Sequence, residues 1–315
     1  MPELKSEVIQ KVILPKFELL TLIADNYHIN AIKGERVDTI RKLLSLSLDQ
    51  GPRFYQIRNE NIKNYLNHDP LLNKLKRSYF KIKEKKVKLP IRYGYHLGWS
   101  ALIQRISVGV VFSVLVLTIF VSATFTDEYT FKMDALLLSS KLGAKKIATA
   151  KVIAIYVLSA IFYLSFWLVG ILFILGFYGF EGWDLPVQVI RTTISFSHSL
   201  WQVTLLSLLS GFFVMLGMVT FTLYLSAKIK STIPVILSST LLVIFFNFFI
   251  KEEWSQGFSF LFSMLLIPYN FYDYYAYSLG SLVIPVYGAI ILFYTTIICV
   301  FLLLSIHAFQ KTKVA

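Results

Sequence analysis

Cysteine is almost absent from this chain. Cys299 stands alone among 315 residues, so no intrachain disulfide can form. It lies inside a long apolar stretch, where a thiol is expected to pack as a small buried hydrophobe. The five histidines are scattered, and no Cys/His spacing suits a metal. Acidic residues are scarce, with 18 Asp or Glu against 31 Lys or Arg and a formal net charge of +13. No Gly-x-x-x-x-Gly-Lys-Ser/Thr loop occurs, so the chain does not cradle ATP phosphates in the usual way. Paired aspartates, His-Glu-x-x-His and a Ser-His arrangement are also missing, which argues against an enzyme and against a cofactor. Met1 is not followed by a signal peptide: Glu3, Lys5, Glu7, Lys11, Lys16, Glu18 and Asp25 interrupt the apolar residues.

What is present is apolar length. Hydrophobic residues make up 56% of the chain and aromatic ones 16%, above the 45–50% apolar content usual in soluble domains. Five uncharged stretches stand out: 106–125, 152–178, 201–227, 233–250 and 282–306. About 20 helical residues cross a hydrocarbon core of ~30 Å. A charge at mid-span would cost roughly 2.5–3.5 kcal/mol, and none of the five carries one. The nearest ionisable groups, His198 and His307, sit at edges, whereas ion-coupled carriers usually place such groups inside. The expected fold is an all-α polytopic membrane bundle with five clear spans. The segment 254–272, with Gln256, Gly257, Pro268 and Asn270, reads as re-entrant or interfacial around Phe258 and Pro268. Tyr269, Phe271, Tyr272, Tyr274, Tyr275 and Tyr277 suit an interfacial belt.

Residues 1–100 read as a basic, mainly helical soluble domain with net charge +9, followed by a transmembrane domain over 101–315. Val37, Ile40, Leu43, Leu44 and Leu48 follow helical spacing, and Gly51-Pro52 ends that run. Asp69-Pro70 is an expected N-cap and first helical position, with Leu71, Leu72, Leu75, Tyr79 and Ile82 as an apolar stripe. Lys81, Lys83, Lys85, Lys86 and Lys88 form a basic run before the first span. It reads first as a solvated helix C-terminus. Contact with anionic lipid or wall polymer is a second reading. Nucleic acid is a third, and no motif accompanies it.

Between the first two spans, Asp127 and Glu128 are expected to open a short amphipathic helix, placed where the dipole favours acids. Tyr129, Met133, Leu136, Leu137 and Ser140 share one of its faces, Lys141 lies elsewhere on the wheel, and Gly143 is expected to end it. The loops split by charge: Lys132, Lys141, Lys145, Lys146 and Lys151 lie on one side with Lys228, Lys230, Lys311 and Lys313. The opposite loops offer only Arg191 and Lys251. The positive-inside rule puts the lysine-rich side in the cytoplasm; residues 1–100 then lie outside the cell if a first span is missing from this sequence, or stay inside if the span count differs from five.

Four stretches carry a resemblance. Gly94-Tyr95-His96-Leu97-Gly98-Trp99 leads into the first span, and that span ends in Phe125, Glu128 and Tyr129 as Phe-x-x-Glu-Tyr. Residues 134–151 (DALLLSSKLGAKKIATAK) precede the second span, and 184–188 (DLPVQ) the third. In this order the chain resembles ATP-binding-cassette (ABC) transporter permeases of the second exporter type, in the Gram-positive form, over residues 90–315. The resemblance implies a multi-pass protein of the cell membrane that partners a separate ATPase subunit and a second permease copy or homologue. Its coupling segment would be 126–151, with Glu128, Tyr129, Met133, Leu136, Leu137 and Lys141 as contacts. It also implies a first helix not found here, so an N-terminally shortened member is expected. The other function class is a non-transporting membrane protein, such as a remnant, an immunity factor or a sensor scaffold. The aromatic-rich, uncharged interior points to an amphiphilic or peptide cargo, exported on ATP hydrolysed by the partner.

Overall fold

The computed structural model describes residues 14–27, 52–69, 72–131, 143–249, 261–267, 271–272 and 274–311. Among these residues the chain forms eight α-helices and one β-hairpin. The helices are α1 (Leu14–Asn26), α2 (Phe54–His68), α3 (Lys74–Glu84), α4 (Leu97–Thr130), α5 (Gly143–Tyr178), α6 (Leu200–Lys228), α7 (Thr232–Ile244) and α8 (Val286–Lys311). The hairpin pairs β1 (Ala276–Leu279) with β2 (Leu282–Pro285). The chain divides into two compact units. The first gathers Met1–Gln104, Phe173–Leu205 and Tyr269–Ile284; the second takes Arg105–Leu172, Leu206–Pro268 and Pro285–Ala315.

Among the described residues, four helices are long and apolar enough to cross a membrane: Leu97–Thr130, Lys146–Tyr178, Leu200–Lys228 and Val286–Phe309. The shortest has 24 residues, about 36 Å at ~1.5 Å per residue. The expected fifth span falls short as an α-helix. α7 has 13 residues and continues as a π-helical turn over Phe245–Phe249.

Four local expectations are corrected. α4 starts at Leu97 and runs through Thr130, so Asp127 and Glu128 stand in its last turn and do not open a new helix. Gly143 begins α5, and the segment 132–142 that it was expected to end lies outside the described residues. Leu282–Pro285 is strand, so the last span starts at Val286. Cys299 is exposed on α8 and does not pack inside the bundle. The periodic run 35–48, Met133, Leu136, Leu137, Ser140 and Lys141, Phe258 and Pro268 lie outside the described residues.

In the first unit, the N-cap of α3 is Asn73, not Asp69: its side chain accepts from Lys76 N at 2.9 Å. Such a cap contributes about 1 kcal/mol. The α3 face that buries is the one carrying Phe80, while Leu75 and Ile82 are exposed. Phe80 meets Tyr274 and Phe196 edge-on, with centroids at 5.3 and 6.1 Å. Burying one such ring stabilises by about 1.5–3 kcal/mol.

Beneath it lies Arg58 of α2, fully buried. Its Nη1 donates to Glu84 Oε1 at 2.6 Å, and its Nε donates to Thr192 O at 2.7 Å. Asn26 donates to Phe54 O at 3.0 Å, and Asn61 donates to Asn26 O at 2.8 Å. These bonds tie α1 and α2 together and fasten α2 and α3 to the 179–199 loop. Gln188 steadies that loop by donating to Ile194 O and Phe196 O.

The Gly94–Trp99 stretch closes on the same loop. Tyr95 Oη donates to Tyr178 O, and Trp99 Nε1 donates to Phe180 O at 3.1 Å. A Cβ on Gly98 would collide with Gly179 O. Gly182, at φ +82°, would place a Cβ against Tyr95 O, so both conformation and space demand glycine there.

In the second unit, α4 and α6 are the inner pair. The most apolar 18 residues of each are 56% and 61% buried, against 22% for α5 and 17% for α8. Small residues let helices approach, as they do in membranes generally. A Cβ on Gly211 would lie 2.5 Å from Val110 Cγ2 and 2.7 Å from Tyr163 Oη. Gly217 receives the Tyr294 ring, and Ser207 and Ser210 are fully buried beside them.

Many hydroxyls are satisfied within their own helix. Ser113 donates to Val110 O and Thr118 to Leu115 O on α4. On α8, Thr295, Thr296 and Ser305 donate to Ile291 O, Leu292 O and Leu302 O.

Candidate functional site

The C-terminal end of α4 gathers most of the second unit's polar chemistry. An acid in the last turn of a helix faces the negative end of the dipole and needs a compensating cation. Glu128 finds one on α5: its Oε1 lies 2.6 Å from Lys151 Nζ. The same Nζ donates to Thr124 O at 2.7 Å and stands 5.6 Å above the Phe125 ring. Lysine thus satisfies a carboxylate, a helix carbonyl and an aromatic face together. Glu128 is 8% exposed, and its Oε2 is buried without a hydrogen bond among the described residues.

Ser226 of α6 completes the fastening. Its hydroxyl donates to Ser122 O at 2.8 Å and accepts from the amides of Phe125 and Thr126 at 3.0 and 3.3 Å. One side chain therefore enters the backbone ladder of α4, a recognised way of loosening a helix turn. Thr126 meets Thr232 of α7 at 2.7 Å between hydroxyls. Tyr129 Oη donates to Ala227 O at 3.0 Å. Phe309 of α8 packs on Phe125 and Tyr129 at centroid distances of 4.8 and 6.3 Å.

Of the expected coupling residues, the structure therefore describes Glu128 and Tyr129, and it brings them together. Sequence reasoning missed Lys151, Thr126, Ser226, Thr232 and Phe309. A signal for Lys151 was in plain view: Glu128 and Lys151 are charges bordering adjacent uncharged stretches. The threonine and serine contacts left no trace, because hydroxyls are common along all the apolar helices.

Among the described residues no three His, Cys, Asp or Glu side chains are placed to hold a metal ion. The helices and their clasp define a class: a helical bundle built to sit in a membrane. No family model matches the chain, and neither a curated protein nor a solved structure matches it.

Proposed function

We propose that this chain is the membrane-spanning permease subunit of an ABC exporter, driven by a separate ATPase subunit and paired with a second permease copy or homologue. The observation that carries the reading is the Glu128–Lys151 pair at 2.6 Å, set beside the Ser226 wedge. It clasps the end of α4 to α5 next to the segment that would receive the ATPase. Through Ser226, Thr232 and Phe309 the clasp also engages α6, α7 and α8. Displacing the 132–142 segment would move five helices through one junction. Two discrete arrangements of such a junction are what a nucleotide-driven transition needs.

The membrane is the cell membrane, with the lysine-rich loops in the cytoplasm. Residues 1–100 share the first unit with 173–205 and 269–284, the chain segments between alternate spans. With α7 and its π-helical turn counted as a crossing, a chain that alternates sides puts those segments on one side, here the outer one. The cargo is amphiphilic or a peptide.

Replacing Met133, Leu136 and Leu137 together by Asp tests the coupling. The expected result is loss of co-purification with an ATPase encoded by the adjacent gene. An intact complex refutes the docking segment. Lys85 is expected to react with an impermeant amine reagent on whole cells; reaction only after lysis refutes the topology.

A further inference from the structure

A cavity in the first unit serves none of the roles described above. It encloses about 500 Å³, within the range of small-ligand sites. One wall is the α1 face carrying Glu18 and Asp25, seven residues apart and so on one side of the helix. The facing wall carries His96, Ser100 and Gln104, four apart at the start of α4, and Arg191 closes a third side.

Two of these groups lack hydrogen-bond partners among the described residues. Ser100 is 7% exposed, and its hydroxyl is buried and unbonded. Helical serines commonly return this proton to their own backbone, as Thr204 does to Leu200 O. Glu18 Oε2 is buried too, 3.2 Å from His96 Nε2 but without hydrogen-bond geometry. His96 Nδ1 lies 2.8 Å from Gly94 O, so that nitrogen carries the hydrogen and donates it. In the neutral ring Nε2 is then bare and faces a carboxylate. Burial pushes Glu18 up to about 7 and lowers His96 below its ordinary value. The unbonded Glu18 Oε2 and Ser100 hydroxyl, with Asp25 beside them, leave the cavity with acceptors to fill.

The cavity's depth says where a donor comes from. Ser100 and Gln104 lie in the first two turns of a helix long enough to span a bilayer. Trp99, whose indole donates to Phe180 O, marks the same level as interfacial. We propose that this cavity binds the headgroup of a phospholipid carrying a primary ammonium. Glu18 and Ser100 accept its N–H groups, Asp25 adds negative charge, and Arg191 faces the phosphate. A quaternary ammonium has no N–H to give, so choline lipids are discriminated against.

The test uses the full chain, purified in detergent and followed by native mass spectrometry. Dioleoylphosphatidylethanolamine, dioleoylphosphatidylcholine and free phosphoethanolamine are titrated separately. The ethanolamine lipid is expected to bind about tenfold more tightly than the choline lipid. Glu18→Gln is expected to remove that preference, and Ser100→Ala to reduce it about threefold. Ser100→Ala deletes an unbonded hydroxyl and introduces a strong helix former, so it stands as the deciding variant if Glu18→Gln does not fold. Equal binding of the two lipids overturns the proposal, as does a preference that survives both substitutions. Phosphoethanolamine binding as tightly as the lipid overturns the membrane source.

Discussion

A double-mutant cycle on Glu128 and Lys151 tests whether the α4–α5 clasp is energetic or incidental. At 2.6 Å and an effective dielectric of ~20, the gross attraction is about 6 kcal/mol. Desolvation removes most of it. Cutting one partner from a fully buried pair costs about 3–5 kcal/mol, while exposed pairs return about 0.2–1 kcal/mol. Glu128 is buried, but the Lys151 side chain keeps 31% of its exposure, which places the pair between these limits.

Glu128→Gln is expected to cost about 2 kcal/mol, because Lys151 retains Thr124 O. Lys151→Met is expected to cost about 3 kcal/mol, because it strands a carboxylate whose second oxygen is already unbonded. The double variant should cost about 2 kcal/mol less than the sum. Unfolding by SDS titration from mild detergent, followed by circular dichroism, reads all four corners. Additivity within about 0.5 kcal/mol would refute the clasp. Under the proposed function, the same variants reconstituted with an ATPase partner should retain complex formation while cargo movement falls.

Gly211→Leu should lower the melting temperature in detergent by an overpacking cost of about 1–3 kcal/mol, since Val110 and Tyr163 already touch that position; an unchanged melt refutes the close approach. Arg58→Met should destabilise by about 3 kcal/mol through the stranded Glu84, and adding Glu84→Gln should restore a good part of it; absence of rescue means the pair is not the cause. Glu18 bears on pH dependence. Its folded value of about 7 lies above the ordinary carboxyl value of 4.5, so its contribution to stability is complete below pH 4.5 and disappears as pH rises through about 7. His96, lowered, acts oppositely, and Asp25, Tyr93 and Arg191 are the other charged or titrating groups nearby. Melting of wild type should therefore fall relative to Glu18→Gln between pH 4.5 and 7, and parallel curves would refute the shift.

Apolar length was legible in the chain because composition alone decides it. 152–178 and 201–227 appear as α5 and α6 with small extensions. The start of α4 was read too late because Arg105 looks like a boundary. In the fold Arg105 points outward while Leu102 and Ile103 are fully buried, so the helix passes through it. Asp127 and Glu128 fit a helix start by charge, and only the partner on α5 explains acids at a helix end. Arg58 gave no signal at all. One arginine among 19 basic residues in the first hundred looks solvated, until Glu84 and Thr192 O arrive from distant sequence. The α1–α4 cavity was equally hidden, since its two walls are some 70–80 positions apart.

α8 shows what self-contained polarity permits. Its serine and threonine hydroxyls close on its own carbonyls, so they ask nothing of the other helices. Along its length it meets them by shape: Tyr294 seated at Gly217, Phe293 against Phe262, Phe301 against Phe221. Such contacts carry no directional memory. Pulling this helix sideways into lipid would leave those hydroxyls satisfied, so what holds it in the bundle is aromatic packing, Phe309 on Phe125 included.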